Sequence, residues 1–146
     1  MREILFKGKR KDNGEWIEGS LITSINRAWI SSEKTDSQRL RSISNTDAIW
    51  RSIEIIPKTL CQFTGLCDKN GKRIWENDIV NHNGEYAPVK FGMYCSSFDY
   101  GNYNFGFYVD FPEETFYRKE LGYWCRKVEA SGNVFDNPEL LQGEIR

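Results

Sequence analysis

Three Asn-Gly pairs, Asn13-Gly14, Asn70-Gly71 and Asn83-Gly84, punctuate this chain, each flanked by short runs rich in aromatic and β-branched residues. Asn and Gly enter the positive-φ region at least cost, so such pairs join neighbouring antiparallel strands through tight turns. The runs around the first pair alternate at period 2, with Ile4 and Phe6 set against Leu5 and Lys7, and Trp16 to Ile22 returning. An antiparallel, all-β chain is the expectation. Nine Phe, seven Tyr and five Trp in 146 residues favour strands and supply bulk for one core or two small ones.

Residues 1–56 read as an N-terminal β-meander. Its hairpin is extended by a third strand around Ala28-Trp29-Ile30, and Gly19 marks a bulge or a close approach of another segment. A polar loop fills 31–47, and a strand carrying Ile49, Ile53 and Ile55 runs to Pro57. Residues 57–146 read as a small SH3-like barrel. From Ile74 to Phe91 the chain passes through an entry strand, an acidic turn, Asp78-Ile79-Val80, a tight turn and Val89-Lys90-Phe91. Two strands within 93–111, one over Tyr123–Glu129 and one over Gly132–Phe135 follow. Asn137-Pro138-Glu139 then caps one short C-terminal helical turn. The two parts are expected to pack as one unit.

The net charge of −1 gives no overall basic field to draw the molecule onto nucleic acid. Residues 1–58 carry +3 and residues 59–146 carry −4, a mild asymmetry. The N-terminus shows neither the apolar core nor the cleavage site of a signal peptide, so a cytoplasmic protein of a bacterial host, away from membranes, is expected. Cys61, Cys67, Cys95 and Cys125 stand at wide spacings and read as free thiols, and with His82 they make no zinc pattern.

Three stretches, "FKGKRKDNGEWIEG" (Phe6 to Gly19), "QFTGLCDKNGKRIWENDIV" (Gln62 to Val80) and "SGNVFDNPELL" (Ser131 to Leu141), occur in an order that resembles the YopX family of phages and prophages. The resemblance runs from about Ile4 to Leu141. It implies a mainly β fold with an SH3-type barrel and a phage or prophage origin, and no particular reaction. Asn77 stands where that family usually has glycine, and the turn is expected to survive because Asn tolerates positive φ. Cys61 stands where a glycine is common.

No catalytic, cofactor or metal residues are expected, and no small-molecule substrate is identified. Glu76 and Asp78 lie at a turn, Glu113-Glu114 in a connection, and His82 beside Asn83-Gly84 with no nucleophile motif. What remains is a surface. Lys7, Lys9, Arg10 and Lys11 cluster beside Trp16, and Tyr100 and Tyr103 belong to an aromatic stretch over 94–108. Two uses fit these residues: protein contact, including self-association through strand edges, or nucleic acid held by stacking and phosphate contacts. The first is favoured because the chain is near neutral.

Overall fold

The computed structural model describes residues 4–31, 52–95, 103–112 and 118–142. Ten strands stand against two four-residue α-helices and one 3-10 turn among these residues, so the all-β class holds. The chain divides into two compact units, Met1–Phe63 and Thr64–Arg146.

The first unit contains β1 (Phe6–Lys9), β2 (Trp16–Ser24), β3 (Arg27–Ser31), β4 (Ile53–Ile55) and the beginning of β5 (Cys61–Cys67). β1 to β4 form the antiparallel meander read from the sequence. The far edge of β1 is also covered. Arg10 bridges Ile55, flanked by the Lys11 N–H bonding the Glu54 carbonyl (3.0 Å) and the Ile56 N–H bonding the Lys9 carbonyl (2.8 Å). Beyond a 3-10 turn at Pro57–Thr59, β5 pairs Cys61 with Lys7 and Gln62 with Phe6. The last strand of the meander thus meets the first, and Ala28, Ile30 and Ile55 are buried with Phe6, Ile17, Leu21 and Leu60 around them. Gly19 is a close approach, since a Cβ there would land on the Ser31 carbonyl. Ser31, expected to open the polar loop, instead ends β3 and is buried; 32–47 lie outside the described residues.

The second unit holds the remainder of β5, then β6 (Arg73–Trp75), β7 (Asp78–His82), β8 (Glu85–Tyr94), β9 (Asn104–Val109) and β10 (Glu129–Asn133). Four of these make a sheet in the order β10-β7-β8-β9. Its core gathers Ile74, Val80, Ala87, Val89, Val109, Phe111, Leu121, Trp124, Cys125 and Val128. The closure expected of an SH3-like barrel over 57–146 is absent among the described residues: the sheet is open, with β10 and β9 at its edges.

The strand expected over Tyr123–Glu129 is also corrected. Leu121–Trp124 forms a turn of helix, α1, and β10 begins only at Glu129. Leu121, Trp124, Cys125 and Val128 stand at i, i+3, i+4 and i+7, a helical spacing that brings all four into the core. The Trp124 Nε1–H fixes the turn by donating to the Arg118 carbonyl at 2.8 Å. The last strand ends at Asn133, where the side-chain oxygen accepts from the Phe135 and Asp136 amides and folds the chain away. The expected terminal turn is present as α2 (Glu139–Gln142).

Each Asn-Gly pair makes a different turn. At Asn83-Gly84 the Asn takes φ 53°, giving the two-residue hairpin between His82 and Glu85. Asn70-Gly71 belongs to a three-residue loop closed by the Asp68 N–H on the Lys72 carbonyl at 2.7 Å. Asn13 keeps negative φ and its side chain accepts the Glu15 N–H at 2.9 Å. Asn77 does take positive φ, 71°, and the turn it closes buries Asp78, whose Oδ2 accepts the Trp75 N–H at 2.9 Å.

Candidate interaction surface

In the first unit, the β1–β2 register sets Lys7 opposite Glu18 and Lys9 opposite Trp16. Residues opposite one another in an antiparallel pair share a face. Both ammonium groups accordingly lie over the indole of Trp16, at 4.8 and 5.6 Å from its centroid. Arg10 and Lys11 are differently engaged. Arg10 pairs with Asp12 at 2.8 Å, and Lys11 shares Glu54 with Arg27 at 3.2 and 2.7 Å. Hydrogen bonds from Arg27 and then Lys11 hold the Glu54 carboxyl at about 2, well below its ordinary range. The expected basic cluster therefore resolves into an indole carrying two lysines and an ion-pair network that neutralises two of its cations. Tyr100 lies outside the described residues, and Tyr103 belongs to the second unit, immediately before β9.

The second unit presents a different surface. β8 and β9 pair from Val89↔Val109 out to Tyr94↔Asn104. Near the core, Val89 and Val109 are fully buried. Farther along the same face come Phe91, Phe107, Met93 and Phe105, so the core face continues outward as an apolar arm. Phe91 packs on Phe107 at 4.8 Å and on Phe105 at 5.1 Å. The arm remains open to water: Phe91 is 47% exposed, Met93 65%, Phe105 72% and Tyr103 70%. On the opposite face Tyr94 and Tyr108 stack at 5.0 Å across the paired glycines Gly92 and Gly106, and Lys90 binds Asp110 at 2.9 Å. Those glycines have φ 151° and 156°, and the space a Cβ would take at either one is open, so backbone conformation, not crowding, selects them.

Tyr103 is the single arm residue singled out from the sequence. Phe91, Met93 and Phe105 were legible as the alternation Phe91-x-Met93 and Tyr103-x-Phe105-x-Phe107-x-Val109. Period 2 marks them as one face, but it does not say where along that face the core ends.

Asp68, not singled out from the sequence, and His82 both have structural partners. Asp68 accepts amide hydrogens from Asn70 and Lys72 (2.9 Å each) and Ala130 (2.8 Å), tying the β5–β6 loop to β10. Burial pushes its carboxyl up, yet the three amides outweigh this and hold it below the usual carboxylate range. His82 ends β7, with Nδ1 3.2 Å from the Lys127 carbonyl and its ring edge-on to Trp124 at 5.0 Å. Cys61 and Cys125 are buried, and Cys67 is exposed. Glu113 and Glu114 lie outside the described residues.

These features define an all-β protein of two small units whose most conspicuous surface is an apolar hairpin face. The chain belongs to the YopX family: the family model described as YopX protein matches residues 5–142. A search of the curated proteins found no match.

Proposed function

We propose that this chain is a non-catalytic protein-interaction module, encoded by a phage or prophage and acting in the host cytoplasm. The observation that carries this reading is the arm: Phe91, Met93, Tyr103 and Phe105 present a contiguous apolar face. Large exposed apolar patches mark contact surfaces, and aromatic and Met side chains are the ones interfaces favour. The barrel closure that the family resemblance implies is not needed for it.

A second reading, nucleic-acid binding, draws on Lys7, Lys9 and Trp16, where cations and an indole lie together. Against it, the lysines already cover the ring that a base would stack on, and Arg10 and Lys11 are occupied by carboxylates.

Affinity purification from infected or lysogenic cells, with and without nuclease, separates the two. The interaction reading expects a stoichiometric protein partner that survives nuclease and salt, and that is lost with Phe105→Lys and retained with Trp16→Ala. Recovery of nuclease-sensitive material alone, lost with Trp16→Ala, would favour nucleic acid and sink the first reading.

A further inference from the structure

The apolar face of the arm ends inward at a step. Val89 and Val109 lie beneath Phe111, Leu121 and Trp124, a layer that also receives Phe107. Beyond that layer the same face runs outward through two cross-strand rows, Phe91 with Phe107 and Met93 with Phe105, to Tyr103. These five side chains carry no charge at neutral pH, whereas the opposite face holds the Lys90–Asp110 ion pair. Phe91 is already held against Phe105 and Phe107, so little rotamer freedom is left to lose when the face is covered. Charge on this face selects no oppositely charged partner. An uncharged apolar sheet face matches its own copy, as the two inner faces of a β-sandwich match each other.

We infer that a second copy of this chain covers the arm, face against face and with its strands reversed, which rests on the interaction reading and names its partner. The two-fold axis lies in the plane of the interface and crosses both strands at the Met93–Phe105 row. Such an axis turns one face onto the other and leaves the strand edges outside the contact. The bridge of Tyr108 to Glu120 and the Val109 N–H bond to the Lys119 carbonyl therefore stay as they are. The step decides the direction. Arms pointing the same way would bring the two layers over Val89 and Val109 together first, holding the faces apart. Arms pointing oppositely let each tip come to rest at the other copy's step, with the sheets about 10 Å apart. Met93 then faces Met93, Phe105 faces Phe105, and each Tyr103 lies over the other copy's Phe107. At about 200 Å² for a large side chain, the exposed parts of Phe91, Met93, Tyr103 and Phe105 come to at most about 500 Å² per copy. The pair thus buries up to about 1,000 Å², the low end of specific interfaces, where association is weak and reversible.

The test is sedimentation of the full chain from about 5 to about 500 µM, which brackets a Kd of about 50 µM. Nuclear Overhauser effects in a mixture of isotope-labelled and unlabelled copies then read the contacts made between copies. The expected result is a monomer–dimer equilibrium in which the Phe107 ring of one copy meets the Tyr103 ring of the other. Phe105→Lys sets two ammonium groups against each other at the axis and should weaken the dimer by about thirtyfold or more, as loss of an anchor residue does. Met93→Lys does the same from β8 and reads the same face if Phe105→Lys fails to fold. A wild-type monomer across the range overturns the pairing. So does a dimer that resists both substitutions, or one in which Tyr103 and Phe107 of different copies make no contact. A monomer that still takes a protein partner through Phe105 overturns only the pairing. A monomer that takes none takes the interaction reading down with it.

Discussion

The N-terminal meander and the β8–β9 arm are both antiparallel ribbons of alternating apolar residues, yet they end in opposite conditions. In the meander, β1 has partners on both sides, Ile55 sits fully buried, and the surface cations Arg10, Lys11 and Arg27 are matched by Asp12 and Glu54. In the arm, the alternation that makes a core at Val89 and Val109 runs on to Phe105 and Met93 with nothing described above it. Periodicity decides which residues share a face. Whether that face is buried depends on how much chain lies over it, and among the described residues the arm outruns its cover.

The sharpest way to break the comparison is to hollow the closed unit. Ile55→Ala should cost about 2–5 kcal/mol, as deletion of a fully buried side chain does. Urea denaturation followed by Trp16 and Trp29 fluorescence would read it, and a loss below about 1 kcal/mol would mean that Ile55 is not the centre of that core. Next comes Asp68, which does in the second unit what strand pairing does in the first. Asp68→Ala leaves three amides without their acceptor and should cost about 3 kcal/mol. Asp68→Asn should recover part of this, since an amide side chain keeps one of the two oxygens that the three donors share. Equal losses for both variants would contradict the bonding described.

Smaller again is the expected effect within the arm. Gly106→Ala forces an L side chain to φ 156° although space is open, so about 1 kcal/mol of strain is expected, confined to the second unit. Amide exchange along β8 and β9 would show it as faster opening outward from Gly92↔Gly106. An unchanged exchange profile would mean that the strand relaxes to ordinary extended geometry without loss.

The asymmetry between the two regions bears on what was legible from residues alone. The all-β class, the meander and the terminal helical turn could be read because each rests on a local device: alternation, Asn-Gly turns, and an Asn-Pro-Glu helix start, although the Asn137 side chain turns back to accept the Asn133 N–H and does not cap the helix with it. The α1 turn was missed because aromatic content over Tyr123–Trp124 suggested a strand, although Leu121, Trp124, Cys125 and Val128 carry the helical period. Sheet closure is a long-range property, and the Ile74–Phe91 rhythm fits an open sheet as well as a barrel. At the surface, clustering in sequence put Lys7, Lys9, Arg10 and Lys11 together, but Glu54, more than forty positions away from Lys11, decides what Lys11 does. Tyr103 could be singled out, yet its partners Phe91 and Met93 come from the other strand of the hairpin.

The smallest expected effect is electrostatic and marks the closed unit alone. Glu54 has a folded-state pKa of about 2, depressed by the hydrogen bonds from Arg27 and Lys11, against an ordinary value of 4.5. A carboxyl with a depressed folded pKa stabilises the fold fully above its unfolded value, and the contribution drains away as pH falls through the folded one. Between pH 4.5 and about 2 the meander should therefore lose stability in wild type, and Glu54→Gln should flatten that part of the profile. The Lys11 and Arg27 side chains are largely solvated, so the difference should be modest and should shrink in salt. Phe91, Met93 and Phe105 carry no charge, and their signals in a two-dimensional NMR titration should stay still over the same interval. Matching acid profiles for wild type and Glu54→Gln would show that the shared carboxylate holds Lys11 and Arg27 too weakly to matter, and the contrast between a charge-matched unit and an apolar arm would then rest on strand pairing alone.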